Sequence, residues 1–346
     1  MFLECDAFLT GTVTEEKRPR SEAMTDRGDK MRQILFSIVI LTTLCISTST
    51  FGASSDACKV LDDRNLFPKD PTTVVPGILK TAGDKILALR RAKDFDIKKK
   101  TGFADLKTKG DCTSQNYIFG SLKKLYPNQN FLGEEKCEKD EVKAKKHLSR
   151  ALWILDPIDG TTNYAHGLNH FNISLALVID GTICYGAVYA PAQGELFYAR
   201  KGKGAFLKTN AGKTKRIRVS QINNFRESLW VTGFKAGKQQ KVDANIPLMR
   251  EVLLSTHGVR RPASAALDLA YVADGRIEGY WELFMDWWDV AAGLLLVEEA
   301  GGKTFIIYTD ETGKGDYSKP TLAVMASNGN GNIHGPMKTI VSKVKK

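Results

Sequence analysis

Leu152-Trp153-Ile154-Leu155-Asp156-Pro157-Ile158-Asp159-Gly160-Thr161-Thr162-Asn163, near the middle of a 346-residue chain, joins two patterns with opposite demands. Its first four residues form an unbroken apolar run, which reads as a short strand. The run passes directly into two acids spaced around Pro157-Ile158, and then into Gly160-Thr161. Asp159-Gly160 by itself would mark only a turn. A turn does not need two carboxylates, whereas a hard cation such as Mg2+ needs carboxylate oxygens held on a fixed frame. Clustered carboxylates repel one another unless a cation neutralises them or a shifted pKa leaves one protonated.

On either side of this stretch, helix and strand patterns alternate. Asp70-Pro71 opens a helix with apolar Val74, Ile78, Ala82, Ile86 and Leu89 on one face. Asn116 to Leu125 reads as a second helix that ends before Pro127. Asn172–Ile179 and Thr182–Ala190 are strands joined by Asp180-Gly181, a two-residue hairpin signal, and Glu195–Ala199 continues the sheet. Helices follow at Ser264–Ala273 and Asp289–Ala300, and late strands at Thr304–Tyr308 and Leu322–Ala326. The pattern predicts an α/β layered body, with the Gly- and Lys-rich stretch Lys201–Lys215 as the weakest candidate boundary between two halves. Two more acidic groups stand out: Glu134-Glu135 after Phe131-Leu132-Gly133, and Asp289 after Trp287-Trp288. Their bland alternatives are a solvated surface pair and a helix N-cap.

Hydrophobic residues make up 42% and charged residues 26% of the chain, which excludes wholesale disorder, collagen and a multispan membrane protein. A formal net charge of +11 raises anionic partners without choosing among them. The basic clusters at Lys98–Lys100, Lys143–Lys146, Arg200–Lys203, Lys213–Arg218 and Lys343–Lys346 carry no interleaved aromatic residues, so they read as solvated faces and no nucleic acid is expected. A basic RNA-binding or non-catalytic protein is the alternative from a different class. Gly212-Lys213-Thr214 lacks the earlier glycine of a P-loop, since Leu207 stands there, and Gly202-x-Gly204 lacks the third glycine of a dinucleotide fingerprint.

Ile34–Ile46 is a short apolar run with Met31-Arg32 before it and small residues after it, the pattern of a secretory signal peptide. Residues 1–53 are therefore read as a leader, with translation starting at Met31 or Met24 and cleavage near Gly52 to Ser55. An uncleaved amphipathic anchor is the other reading. After cleavage no membrane span remains, and the expected location is secreted or periplasmic, or cytoplasmic if the leader is not functional. Cys58, Cys112, Cys137 and Cys184 remain, and four cysteines allow three pairings. Cys184 sits in an apolar alternating run and reads as plain core.

Phe131-Leu132-Gly133-Glu134-Glu135, Trp153 to Tyr164, and Trp288-Asp289-Val290-Ala291-Ala292-Gly293 with Glu299-Ala300-Gly301-Gly302 together resemble the inositol monophosphatase family. The resemblance runs from about Thr72 to the C-terminus, so residues 54–346 are expected to be one catalytic domain. It implies a sugar-phosphatase fold of alternating helix and sheet layers, Mg2+-dependent hydrolysis of a phosphomonoester with two or three ions per site, inhibition by Li+, and a homodimer. Residue by residue, it places Glu134, Asp156, Asp159, Asp289 and the Ile158 carbonyl at metal-ligand positions. Gly160 and Thr161 match the phosphate-cradling backbone, and the Thr161 hydroxyl matches the group that orients the attacking water. Its partner would be Asp111, after Asp105-Leu106-Lys107-Thr108. Ala265 and Glu282 match positions that contact the inositol ring, as Asp159 and Asp289 also do at the substrate, while Glu135 is read as a bystander. Asp111 and Glu134 should converge on the metals, which leaves room for their neighbours Cys112 and Cys137 to pair in an oxidising compartment, although free thiols are the favoured state and whether any of the four cysteines pair stays open. Thr162-Asn163 favours a polyol phosphate such as myo-inositol 1-phosphate. Fructose 1,6-bisphosphate and other sugar or nucleotide phosphates stay open, and Phe234-Lys235-Ala236-Gly237 departs from the family pattern near the substrate.

Overall fold

In this computed structural model, which describes residues 56–100, 102–137, 150–235, 237–309 and 317–344, Asp70-Pro71 opens helix α1 (Pro71–Arg91). The Asp70 carboxylate accepts the Thr72 N–H at 2.8 Å, and Pro71 has no N–H to satisfy at this position. The described residues lie in one compact unit, Ser47–Lys346, and the proposed leader falls outside them. None of their helices is long and apolar enough to cross a membrane.

The chain continues through a two-stranded lip, β1 (Lys98–Lys99) and β2 (Leu106–Lys107), into α2 (Lys109–Leu125). A sheet of seven strands follows in the order of the chain: β3 (Asn130–Gly133), β4 (Ala151–Asp159), β5 (Asn172–Ile179), β6 (Thr182–Ala190), β7 (Glu195–Arg200), β8 (Gly204–Thr209) and β9 (Thr214–Arg216). Only β3 and β4 run parallel in it, and the one-turn helix α3 (Thr161–Ala165) interrupts it after β4. The Asp180-Gly181 hairpin forms as its sequence predicts, with positive φ at both residues (47° and 75°). A second, mixed sheet has five strands in the order β11-β10-β12-β14-β13: β10 (Leu229–Thr232), β11 (Gly258–Arg260), β12 (Gly279–Leu283), β13 (Lys303–Tyr308) and β14 (Thr321–Ser327). Helices α4 (Gln239–Ser255), α5 (Ala265–Ala273), α6 (Trp287–Glu299) and α7 (Gly331–Val341) complete the order.

Side-chain alternation along the strands makes the layers. Trp153, Leu155, Ile173 and Leu175 pack with Ile78, Leu79, Ile118 and Leu122 of α1 and α2. Ile154, Ala176, Val188 and Phe197 face the opposite way and meet Leu267, Leu269, Val290 and Leu294 of α5 and α6. The same core continues to Val231, Tyr280 and Val324 of the second sheet. That sheet's other face, with Trp230, Trp281, Phe305 and Met325, is covered by Leu248 and Val252 of α4 and by Ile333, Met337 and Ile340 of α7. Both sheets are therefore sandwiched, which explains why β5 and β6 are buried along their whole length. The approach of α6 is close: a Cβ on Gly186 would come within 2.8 Å of the Ala292 carbonyl oxygen. The α/β layered, sugar-phosphatase architecture expected from the sequence is the one observed.

Several expectations are corrected. The stretch Lys201–Lys215 divides nothing, because it carries β8 and β9 as a hairpin extension of the large sheet. Cys184 is half of a disulfide with Cys58, which pins the turn Ala57–Asp62 to β6. Its burial was legible, but not the arrival of a cysteine from 126 residues away. Cys112 and Cys137 are also joined. Helix α2 starts at Lys109 rather than Asn116, because Thr108 and Asp111 form a capping box. Helix α6 starts at Trp287, so Asp289 is its third residue and Asp286 its N-cap.

Candidate active site

Four element ends supply the acids. Glu134 follows β3, and its N–H donates to the Leu155 carbonyl at 3.1 Å, which ties it to the end of β4. Asp156 and Asp159 lie on the last residues of β4, where the pairing with β5 shifts register. The irregularity follows from Pro157, which has no N–H for the ladder. Asp156 turns back to accept the Ile158 N–H at 2.9 Å. Asp289 accepts the Asp286 N–H at 3.2 Å in the first turn of α6. Asp156, Asp159 and Asp289 are buried and Glu134 is partly buried.

Burial and mutual repulsion set their proton affinity. Burial, reinforced by Glu134, Asp159 and Asp289, raises Asp156 well above the usual carboxylate range. Asp159 is pushed up to about 6 by burial, with Asp289 adding and its hydrogen bonds opposing. Asp289 is pushed up to about 6 by burial against the pull of Lys235. Burial also raises Glu134, while Lys100 opposes.

Thr161 and Asp111, the pair to which the resemblance assigns the orienting of a water, lie side by side. Thr161 opens α3, with Gly160 at a left-handed φ of 89° as its N-cap. The Thr161 hydroxyl lies 2.9 Å from the Ile158 carbonyl oxygen and 3.4 Å from Oδ1 of Asp111. The other oxygen of Asp111, Oδ2, accepts both the N–H and the hydroxyl of Thr108 at 2.6 Å. Asp111 is fully buried, and burial lifts its pKa to about 6 against those hydrogen bonds.

Asp159 does a job that its sequence position does not disclose. Its carboxylate accepts the N–H groups of Ala265 (3.1 Å) and Ala266 (2.8 Å), the Asn172 amide (2.7 Å) and the Ser264 hydroxyl (3.0 Å). It thus serves as the anionic cap of α5 from a distant strand. Ala265 takes part through its backbone, and neither its side chain nor Glu282 is among the groups lining the cleft. Glu282 is buried, receives the Tyr280 hydroxyl at 3.1 Å, and is pushed up to about 8 by burial despite nearby Lys235.

Two lysines went unread. Lys100, taken as part of a solvated cluster, reaches Glu134 at 2.7 Å and pairs with Glu135 as well. Glu135, read as a bystander, is buried and also meets Lys107 at 3.4 Å, so it anchors the lip. Lys235 lies 3.3 Å from Asp286 and 3.6 Å from Asp289. Although burial works against their charge, both ammonium groups are held protonated by these acids. The departure of Phe234–Gly237 from the family pattern was the available signal for Lys235. The cleft encloses about 660 Å³ and includes Lys100, Glu134, Gly160, Thr161, Lys235 and Asp289 in its lining.

Among the described residues, no three Asp, Glu, His or Cys side chains close around one point as a ready-made metal cage. The donor set nevertheless fits a hard divalent cation. It consists of oxygens only, three of its four carboxylates are buried, and among the described residues Lys100 and Lys235 are the cations paired with it.

A family model described as "Inositol monophosphatase family" matches residues 70–343. The chain belongs to that family. It is 40% identical over 205 residues to the inositol-1-monophosphatase of Caulobacter vibrioides, covering 59% of this chain and 77% of that protein. It is 37% identical over 262 residues to the fructose-1,6-bisphosphatase/inositol-1-monophosphatase of Thermotoga maritima, covering 75% and 91%. The structure of the extragenic suppressor protein suhB from Bartonella henselae superposes with a TM-score of 0.66 at 33% identity, covering 79% of this chain and 98% of that one. As a member of the inositol monophosphatase family the chain is a phosphoric monoester hydrolase.

Proposed function

We propose that the chain hydrolyses the phosphomonoester of a small polyol, myo-inositol 1-phosphate in the first instance, with Mg2+ held by Glu134, Asp156, Asp159, Asp289 and the Ile158 carbonyl. The observation that carries this reading is the Asp111–Thr161 pair beside a cluster in which Glu134, Asp159 and Asp289 surround Asp156, with Glu134, Thr161 and Asp289 lining the cleft. A phosphate dianion repels its nucleophile, so charge must be neutralised and a water held in line. When bound, two or three Mg2+ ions would supply that neutralisation and acidify water. The rest falls to the chain's own residues. The Gly160-Thr161 backbone at the start of α3 offers N–H groups to phosphate oxygens. The Thr161 hydroxyl orients the attacking water, and Asp111, with its pKa near 6, accepts the proton as general base. The water oxygen bonds to phosphorus, the ester bond breaks, and the alcohol oxygen leaves with a proton taken from solvent.

The test is phosphate release from myo-inositol 1-phosphate, fructose 1,6-bisphosphate, histidinol phosphate and adenosine 3′,5′-bisphosphate, with and without Mg2+. Release that requires the cation is expected, and equal release in a chelator would overturn the metal-dependent reading. Export is the location supported best, since two disulfides persist most readily in an oxidising compartment. N-terminal sequencing from the native host should then find a mature start between Ala53 and Asp56, and an intact N-terminus on a cytosolic product would overturn it.

A further inference from the structure

Lys235 reaches the acid cluster from a segment that is fixed just before it. The Gly233 carbonyl, at the end of β10, accepts the Asn245 amide at 2.9 Å. Asn245 is itself buried and accepts the Trp281 indole N–H at 2.8 Å, so α4 and β12 together hold the chain there. From this anchor the Lys235 ammonium spans the first turn of α6, 3.3 Å from Oδ2 of Asp286 and 3.6 Å from Oδ2 of Asp289. The same Oδ2 of Asp289 accepts the Asp286 N–H at 3.2 Å. One oxygen of this carboxylate is thus engaged by the chain's own donors, which leaves Oδ1 for a further cation. The Lys235 side chain is 32% exposed, so water screens its charge only in part. The start of α6 already favours Asp286 and Asp289 through its dipole and its free N–H groups, so the helix by itself does not call for a lysine. The charge is called for by the cluster beyond, where Glu134 and Asp156 crowd Asp289. A third Mg2+ beside Asp289 would have to share it with an ammonium already in place, and like charges about 4 Å apart repel.

We infer that Lys235 is a tethered cation of the active site, which supplies at Asp289 the positive charge that a third Mg2+ would otherwise bring, so that this chain works with two ions. The device belongs to Phe234–Gly237, the stretch where the sequence departs from the family pattern. The inference rests on the Mg2+-dependent phosphatase reading of the same cleft.

Counting ions tests it. Mg2+ bound per chain is measured by equilibrium dialysis on the full chain with inorganic phosphate present, and turnover of the best substrate of the panel above is followed over a Mg2+ titration. The parent should bind two ions, and Lys235→Met, which keeps the apolar stem and removes the charge, should bind a third. At the Mg2+ concentration that saturates the parent, Lys235→Met should turn over about tenfold more slowly or worse, and recover in part as Mg2+ is raised. Lys235→Arg keeps the charge and should keep both the count of two and most of the turnover. Lys235→Gln replaces the methionine variant if that one fails to fold. Three ions on the parent, or the same count with and without the charge, would overturn the tethered cation, since a lysine that served only the fold would alter the melting temperature and not the number of ions. A parent that binds no Mg2+ at all would remove the metal-dependent reading, and the inference with it.

Discussion

The Thr161 hydroxyl stands between two acceptors, the Ile158 carbonyl and the Asp111 carboxylate, and with a single proton it can donate to only one at a time. Thr161→Val keeps the shape and removes that choice. We expect turnover to fall by about 10²–10⁴-fold, the usual contribution of positioned proton transfer, with the circular dichroism spectrum unchanged. Thr161→Ser should restore most of the activity, and a valine variant as fast as the parent would exclude the hydroxyl from the mechanism. Glu282 leads to a different expectation. Its folded pKa is raised to about 8, so it is largely protonated at pH 7, and its contribution to stability is lost as pH rises through about 8. The loss begins at the ordinary value of 4.5 and is complete near 8, so Glu282→Gln should melt close to the parent at pH 4 and a few degrees above it at pH 9. A variant that melts lower at both pH values would show that the ionised carboxylate is the form the fold needs.

At the scale of elements, the short helix α3 depends on its left-handed start. A Cβ at Gly160 would lie 3.0 Å from the His170 carbonyl oxygen and 3.2 Å from that of Ala263, both backbone atoms. The left-handed conformation alone costs a non-glycine residue about 1–2 kcal/mol, so Gly160→Ala should lower unfolding stability in urea by at least that amount. It should also displace Thr161, and an unchanged midpoint together with unchanged turnover would contradict this placement. The Cys112–Cys137 disulfide joins the first turn of α2 to the segment after Glu134, closing 25 residues. Loop-closure entropy makes such a bond worth about 3 kcal/mol. Cys112→Ser with Cys137→Ser should lose stability of that order and also turnover, since Asp111 and Glu134 are fixed at either end. Loss of stability with turnover intact would confine the bond to a structural role.

For the whole molecule, the buried acids make stability depend on pH and on cations together. Asp111, Asp159 and Asp289 all have folded pKa values raised to about 6. A raised acid stabilises the fold fully below its unfolded pKa near 4, and that contribution is lost as pH rises through about 6. His334 acts in the other direction: burial holds it down to about 4, so it costs stability as pH falls from its ordinary 6.5 through 4. Three buried acids should outweigh one partly exposed imidazole. Protein in a chelator is therefore expected to melt at a higher temperature at pH 5.5 than at pH 8, and millimolar Mg2+ should restore much of the difference at pH 8. Calorimetric scans that show no cation effect at pH 8 would count against the carboxylates as a cation site.

Local pattern determined a good deal about this protein. The apolar run into Asp156-Pro157-Ile158-Asp159, the Asp180-Gly181 hairpin and the Asp70-Pro71 helix start each encode their geometry within a few residues, through side-chain periodicity and backbone torsion preference. The Thr108–Asp111 capping box is equally local, a threonine followed three residues later by an acid. Other features were settled only when the layers packed. The approach of Cys58 to Cys184, the capping of α5 by Asp159, and the insertion of Lys100 and Lys235 among the acids join residues far apart in the chain. Periodicity states which face of a strand or helix turns inward. It does not state which distant charge arrives there to meet it, because that depends on how the sheets stack and on which buried groups would otherwise be left without a partner.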